Sequence, residues 1–295
     1  MTGRILVTGA SGHLGARIIH HLLATQGVPA ASIVAGSRDP AKLAALAERG
    51  VETRRVDFDD AASLATGFAG IDRLLIVSTD ALDGAGTRLR QHLAAVEAAK
   101  TADVGRLFYT SMPGPDDSMV TFAPDHNKTE EAIKASGLAY TIFRNGWYME
   151  NLFMALPSAL ASGQWYTSSG EGKLAHIARD DIARAIAAGL AKPVSGNVTY
   201  TLTGATARTT DEIAALVRDV TGKPLAVVHL SDAQLSEGMA AAGVPAPYIP
   251  TFVSFDANTR EGKIAMVTDD ATKLSGVGLM SLEDFLESSK AALLG

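Results

Sequence analysis

The stretch from Arg4 to Gly15 constrains this chain more than any other. Arg4-Ile5-Leu6-Val7-Thr8 reads as a short buried strand. It enters Gly9-Ala10-Ser11-Gly12-His13-Leu14-Gly15 and then an apolar-periodic helix from Ala16 to Ala24. A strand, a glycine-rich turn and a helix, in that order, form the setting in which such glycines acquire a chemical meaning. Gly9 permits the tight turn. Gly12 carries no side chain to block a pyrophosphate from the backbone, and Gly15 lets the helix lie close to the strand. The free N–H groups at the helix N-terminus, with the positive end of its dipole, then face the phosphates. The spacing is G-x-x-G-x-x-G rather than the G-x-G-x-x-G of many dehydrogenases. The alternative is a plain βα turn. The position at the N-terminus, and the pattern that follows, favour a dinucleotide site.

The pattern that follows is regular. Ala31 to Gly36 is a second apolar strand, after which Asp39 and Pro40 supply an N-cap and a first helical residue. That helix runs to about Arg49, and Gly50 stops it. Val51 to Val56 is the third strand, with a short helix from Ala61 to Phe68. Leu74 to Thr79 is a continuous apolar run, the signature of a strand buried on both faces. A helix from Thr87 to Ala102 sets Leu89, Leu93 and Val96 on one face. Arg106 to Ser111 is the fifth strand, Asp125 to Ser136 a helix, and Ala139 to Phe143 the sixth strand. Alternation at this spacing predicts an α/β fold: a Rossmann-type, doubly wound parallel sheet with right-handed crossovers.

Beyond Asn145 the rhythm changes. Met149 to Ala161 reads as helical, interrupted or bent near Pro157, Asp180 to Ala191 as a clear helix, and Val198 to Thr203 as a strand. Thr209 and Glu212 form a capping box for a helix that Gly222 ends, and Leu225 to Leu230 is another strand. Gly243 to Pro250 is a proline-rich turn region, either a wall of a pocket or a connector. Ser281 and Asp284 begin a last helix. The expected division is a dinucleotide-binding domain over 1–150, with 176–195 packing back on it, and a smaller interleaved α+β substrate lobe over 151–295, built mainly from 150–175 and 200–275.

Composition narrows the function classes. The chain has 295 residues, 47% hydrophobic and 20% charged, enough for one large or two modest domains. Its net charge is −6 and it has no basic run, which disfavours nucleic acid or an anionic membrane as partner. No apolar stretch reaches the roughly 18 residues of a membrane span. The N-terminus reads as a strand and not as a signal peptide, so a cytoplasmic location is expected. There is no cysteine, hence no disulfide and no thiolate nucleophile. The seven histidines form no HExxH or His-x-His cluster, and no metal is expected. The glycine loop lacks the Gly-Lys-Ser/Thr ending of a nucleotide-hydrolysing P-loop, and there is no G-x-S-x-G elbow.

The strand ends carry the site. The second strand closes on Gly36-Ser37-Arg38 where NAD sites usually place an acidic residue. A hydroxyl and a guanidinium suit a ribose 2′-phosphate, so NADP(H) is expected over NAD(H). Asp57 and Phe58 end the third strand beside the expected adenine, although Asp57 serves equally well as a turn cap. Ser78 and Thr79 end the fourth strand over the middle of the cofactor. Ser111 ends the fifth, at the edge where ligands bind in open α/β sheets.

The usual carbonyl-reducing machinery is missing. Of the tyrosines at 109, 140, 148, 166, 200 and 248, none has a lysine four residues on. The helix that should carry that pair offers His126 and, four residues later, Glu130. What remains for such residues is to hold an acceptor against the nicotinamide, with one donor near a developing oxyanion. Candidate donors are Ser111, His126, Asn145 and Tyr148. A hydrophobic wall is offered by Met112, Trp147 and Phe153. Each has a plainer reading: Ser111 as a backbone partner, His126 as a surface residue, Trp147 and Phe153 as core.

The glycine loop, Arg38, Tyr109-Thr110-Ser111 and above all Arg144-Asn145-Gly146-Trp147-Tyr148-Met149-Glu150-Asn151 resemble the NmrA-like branch of the atypical short-chain dehydrogenases/reductases, and within it the bacterial NADPH-dependent quinone oxidoreductases, with the triphenylmethane reductases close by. The resemblance covers nearly the whole chain, and the Arg144–Asn151 stretch is its more specific part. It implies a monomeric or homodimeric cytoplasmic reductase that passes hydride from NADPH to a quinone or similar aromatic acceptor in the cleft between lobes. It matches Gly9, Ser11, Gly12, His13 and Leu14 to the phosphate loop and Arg38 to the 2′-phosphate. Asn145 and Tyr148 match the stretch that borders nicotinamide and acceptor. Two alternatives stay open: a non-catalytic dinucleotide-sensing regulator, which the missing Tyr/Lys pair suits equally, and a reductase of triarylmethane, azo or activated C=C substrates.

Overall fold

Ile5, Leu6 and Val7 are wholly buried because their strand, β1 (Ile5–Val7), is an inner strand of a seven-stranded parallel sheet covered on both faces. The structure is a computed structural model and describes residues 3–83 and 85–295. On one side of β1 come β2 (Ile33–Ser37) and β3 (Glu52–Arg55). On the other come β4 (Arg73–Ile76), β5 (Arg106–Ser111), β6 (Tyr140–Asn145) and β8 (Val198–Leu202), giving the order β3-β2-β1-β4-β5-β6-β8. The order reverses at β1, so a crevice opens where the chain leaves β1 in one direction and β4 in the other.

Alternate residues of each strand face opposite layers. Ile5, Val7, Ile33, Ala35, Leu75, Phe108 and Phe143 meet α1 (His13–Ala24), α7 (Arg179–Ala191) and the short α11 (Asp270–Ser275). Leu6, Val34, Leu74, Ile76, Leu107 and Tyr109 meet α3 (Ala61–Phe68), α4 (Thr87–Thr101) and α5 (Ala123–Ala135). The short α2 (Ala44–Glu48) follows a 3-10 turn begun by Pro40, with the Asp39 carboxylate accepting the N–H of Ala41 at 3.1 Å.

The remainder packs beside the carboxyl edge. It holds α6 (Leu156–Ser162), β7 (Gln164–Thr167), α8 (Thr210–Thr221), β9 (Ala226–His229), α9 (Asp232–Ala241), α10 (Ile249–Arg260) and α12 (Leu282–Leu294), with β7 and β9 paired in parallel. Thr209 and Glu212 form the capping box of α8, and Gly222 closes that helix with a left-handed cap. Near Pro157 the helical stretch is interrupted rather than bent: a 3-10 segment ends at Met154 and α6 begins at Leu156, with the proline in its first turn.

Three elements differ from the sequence reading. Val198–Leu202, assigned to the second lobe by its place in the chain, is the edge strand of the first sheet, paired in parallel with β6. The proline-rich stretch leads into α10, because Pro250 sits in the first helical turn, where its missing N–H costs nothing. On α4, Leu93 is exposed and Leu89 half-buried, whereas Arg88, Gln91 and His92 are buried.

Candidate functional site

The glycine loop is built from backbone. Gly9 takes a left-handed conformation (φ +60°), and its carbonyl accepts the N–H of Gly12 at 2.9 Å. A Cβ on Gly15 would stand 2.3 Å from the Gly9 carbonyl oxygen, which is why only glycine fits there. Gly12 is the extended N-cap of α1 and no side chain caps that helix, so its first N–H groups point to the crevice unclaimed. Ser11, Gly12 and His13 are exposed there, and Leu14 is buried beneath them. The Ser11 and Ser37 hydroxyls lie 3.0 Å apart, tying the loop to the end of β2. Arg38, next along, is exposed and makes no hydrogen bond or ion pair among the described residues.

Asp57 and Phe58 sit at the end of β3. The Asp57 carboxylate accepts the N–H of Asp59 at 3.2 Å and pairs with Arg55 at 3.0 Å. Both oxygens therefore have partners within the turn. Phe58 lies against the core of the α3–α4 layer. At the end of β4, the Ser78 N–H donates to Thr110 Oγ1 at 2.8 Å and the Thr79 N–H to His92 Nε2 at 3.0 Å.

The fifth and sixth strands end in a buried ion pair. Glu130, fully buried on α5, accepts the Ser111 hydroxyl at 2.7 Å and the Nε and Nη2 N–H groups along one edge of the Arg144 guanidinium at 2.9 and 2.7 Å. Burial pushes its pKa up, but the hydrogen bonds and charge of Arg144 and Ser111 outweigh this and hold it below the usual carboxylate range. The Ser111 proton is thus directed into the protein and not into the cleft. His126 is buried too, enclosed by Arg88, Tyr109, His92 and Phe122. Burial and the neighbouring Arg88 charge keep its pKa well below the ordinary histidine value, so it stays neutral.

Asn145 and Tyr148 remain. Asn145 is buried at the last position of β6, its Nδ2 lies 3.5 Å from Tyr148 Oη, and its Oδ1 has no partner. The Tyr148 ring lies under the guanidinium of Arg179 at 4.8 Å. Burial raises its pKa, partly offset by Asn145 and Arg179, so the phenol keeps its proton. The residues around these two act as a seam. The Gly146 N–H donates to Leu202 O at 2.7 Å, and Trp147 and Met149 exchange backbone hydrogen bonds with Ile177. Glu150 accepts the first N–H of α7, from Arg179, at 3.0 Å.

The proposed hydrophobic wall divides. Trp147 meets Phe255 of α10 edge-on at 4.5 Å, and Phe255 meets Phe122 at 6.1 Å. Met112 is buried in the same cluster with Val120 and Ala123. Phe153 is not part of it. It packs against Phe285 in a separate core with Leu152, Leu156 and Leu286, because the 3-10 segment that carries it faces α12. Phe122, Phe255, Arg88 and His92 escaped the sequence reading. The two phenylalanines come from segments without a motif, and the other two from a helix whose leucines suggested another buried face.

The residues fit a dinucleotide. A backbone loop with free N–H groups after β1, a guanidinium without a partner among the described residues at the end of β2, and two buried oxygens without partners, Thr79 Oγ1 after β4 and Asn145 Oδ1 at the end of β6, all lie at the carboxyl ends of strands of the one parallel sheet. The NmrA-like family model matches residues 1–286. The chain belongs to the NmrA-like family. Among NmrA-like proteins it is 35% identical to quinone oxidoreductase 2 of Escherichia coli over 272 residues, 92% of this chain and 93% of that one. It is 28% identical to an NAD(P)H azoreductase of Xenophilus azovorans over 98% of both chains. The crystal structure of the E. coli enzyme with NADPH superposes with a TM-score of 0.91, covering 99% of this chain and 100% of that one at 33% identity. The triphenylmethane reductase of Citrobacter sp. superposes at 0.90, covering 98% and 99% at 32% identity. Among the described residues no helix is long and apolar enough to cross a membrane, and no three acidic or histidine side chains are grouped to hold a metal.

Proposed function

We propose that this NmrA-like protein is an NADPH-dependent reductase that passes hydride to a quinone or similar conjugated aromatic acceptor. The observation that supports it most is the pairing of an uncapped glycine loop with an aromatic wall, Trp147, Phe255 and Phe122, on the far side of the same strand ends. When bound, NADPH supplies the hydride. Gly9, Ser11, Gly12, His13, Leu14 and Gly15 form the loop that holds the pyrophosphate, and Arg38 meets the 2′-phosphate. Asp57, Phe58, Ser78 and Thr79 border the adenosine half and the middle of the cofactor. Asn145 offers its unpartnered amide oxygen beside the nicotinamide. The aromatic wall keeps water from the reacting face and orients a flat acceptor.

Tyr148 is the hydrogen-bond donor for the oxygen that becomes negative. Its phenol stays protonated, whereas Ser111 and His126 are engaged inside the protein. One such donor contributes about 3 kcal/mol to a transition state. Tyr148→Phe therefore lowers kcat by about a hundredfold while NADPH binds as before; unchanged turnover removes Tyr148 from the chemistry. The reading carries with it a two-lobed organisation, a cytoplasmic location and a monomeric or homodimeric state, the last checked by light scattering.

The test is NADPH oxidation by the purified protein with benzoquinones, a triarylmethane dye, an azo dye and no acceptor in parallel, and NADH as the control donor. Oxidation that depends on acceptor and prefers NADPH supports the reading. Tight NADPH binding with a silent panel rejects it in favour of a dinucleotide-sensing regulator.

A further inference from the structure

The first turns of α4 bury three polar residues, Arg88, Gln91 and His92, where a helix covering a sheet normally buries aliphatics. Arg88 and His92 are four residues apart and so share one face. That face looks at the loop leaving β4. His92 Nε2 accepts the Thr79 N–H at 3.0 Å, and Arg88 Nε donates to the Ala81 carbonyl at 3.1 Å. One side chain holds an N–H and the other a C=O, so the peptide between Thr79 and Ala81 is gripped at both ends.

The grip is braced from behind. The His92 nitrogen facing Thr79 must be bare, so Nδ1 carries the proton and donates to Thr129 Oγ1 at 3.1 Å. The Thr129 hydroxyl donates in turn to the Asp125 carbonyl at 2.6 Å. Arg88 is always protonated, so the His126 nitrogen 3.4 Å from it is the bare one. His126 Nδ1–H then donates to Tyr109 Oη at 2.7 Å. His92, Tyr109 and Thr129 are wholly buried, and Arg88 is 7% exposed. No carboxylate lies within ion-pair distance of Arg88 among the described residues; its guanidinium sits over the Phe122 ring at 4.8 Å. Asp125 and Asp80 act on it only from beyond that distance, and a buried charge so weakly compensated is costly and persists where its hydrogen bonds have a purpose.

We propose that Arg88 and His92 are positioning residues that fix the Thr79–Ala81 peptide as a wall of the cofactor cleft, so that the Thr79 hydroxyl oxygen, buried and without a partner, is presented in one orientation. This rests on the reading of the cleft as an NADPH site. Neither residue touches cofactor or acceptor. They set how tightly the cofactor is held, not how fast hydride moves.

The test separates the two claims. In protein labelled with nitrogen-15 histidine, His92 reports a protonated Nδ1 and a bare Nε2, and the Thr79 amide exchanges slowly. His92→Leu, which has no acceptor, speeds that exchange, raises the fluorescence-titrated Kd and the KM for NADPH about tenfold, and leaves kcat within about twofold. His92→Gln restores most of the affinity, since its amide oxygen reaches the same N–H. Arg88→Met repeats the affinity loss through Ala81 and serves if the leucine variant fails to fold. The proposal is overturned by an Nε2–H tautomer, by equal losses in the leucine and glutamine variants, or by a folded leucine variant with unchanged Kd and slow Thr79 exchange. Wild-type protein that binds no NADPH sinks the cofactor reading, while exchange at Thr79 and the tautomer still decide the grip.

Discussion

α7 and α4 lie on opposite faces of one sheet and are built on opposite plans. Apart from Asp181 in its first turn, α7 buries only Ile182, Ala183, Ala185, Ile186, Ala187, Ala188, Gly189 and Leu190, an aliphatic surface pressed on α1 and the strands. α4 is aliphatic only in its second half, at Ala95, Val96 and Ala99; its first half is Arg88, Gln91 and His92. The polar half is the one next to the strand ends. The contrast shows where the molecule stores stability and where it gives some up to shape a cleft.

The contrast breaks if an α7 mutation disturbs binding more than stability. Ile186→Ala removes a fully buried side chain and is expected to cost about 3 kcal/mol in urea unfolding, with the KM for NADPH unchanged. The α4 side answers to acid. Burial holds the His92 pKa down at about 3 and that of His176 at about 4, and the Arg88 charge adds to the effect at His92. A histidine neutral in the folded state but protonated when unfolded favours unfolding as pH falls below about 6.5. By pH 5 this amounts to about 2 kcal/mol for each such histidine. The drop in unfolding free energy between pH 7.5 and pH 5 should therefore shrink by about that amount in His92→Gln. Asp181 and Asp256, whose pKa values burial raises, act in the opposite sense in both proteins and cancel from the difference.

Two smaller effects sharpen the picture on the cleft itself. Arg38→Ala should raise the KM for NADPH about tenfold, close to 1.4 kcal/mol, and leave that for NADH alone; equal change with both cofactors would remove it from the 2′-phosphate. Trp147→Ala should raise the acceptor KM about fivefold by opening the edge-on contact to Phe255, a loss near 1 kcal/mol. Phe153→Ala, in the other core, should lower stability without moving that KM.

What the sequence made legible was local. The glycine loop, the first six strands, the Thr209 capping box and the Ser281 start of α12 each rest on a few neighbouring residues whose conformations are narrow. What it hid depends on partners far along the chain. Phe153 and Trp147 look alike in sequence, and only α12 and α10 decide that one packs on Phe285 and the other on Phe255. Val198–Leu202 has no local mark of the sheet it joins. Leu89 and Leu93 have helical spacing, yet burial went to the polar face because the loop after β4 needs hydrogen-bonding partners. Ser111 and His126 were chosen for their chemistry, and their protons proved to be engaged by Glu130 and Tyr109.

The contact between α1 and α7 has a consequence for how the molecule is made. Ile18 and Ile19 leave the ribosome some 160 residues ahead of the helix against which α1 packs. Until Arg179–Ala191 has been synthesised, α1 has the early strands beneath it but lacks the helix that covers its apolar flank. At roughly 5–20 residues per second that interval is on the order of ten seconds or more. A nascent chain halted before residue 179 should therefore be held by chaperones or aggregate, and one released just past residue 202 is the shortest that can close its sheet.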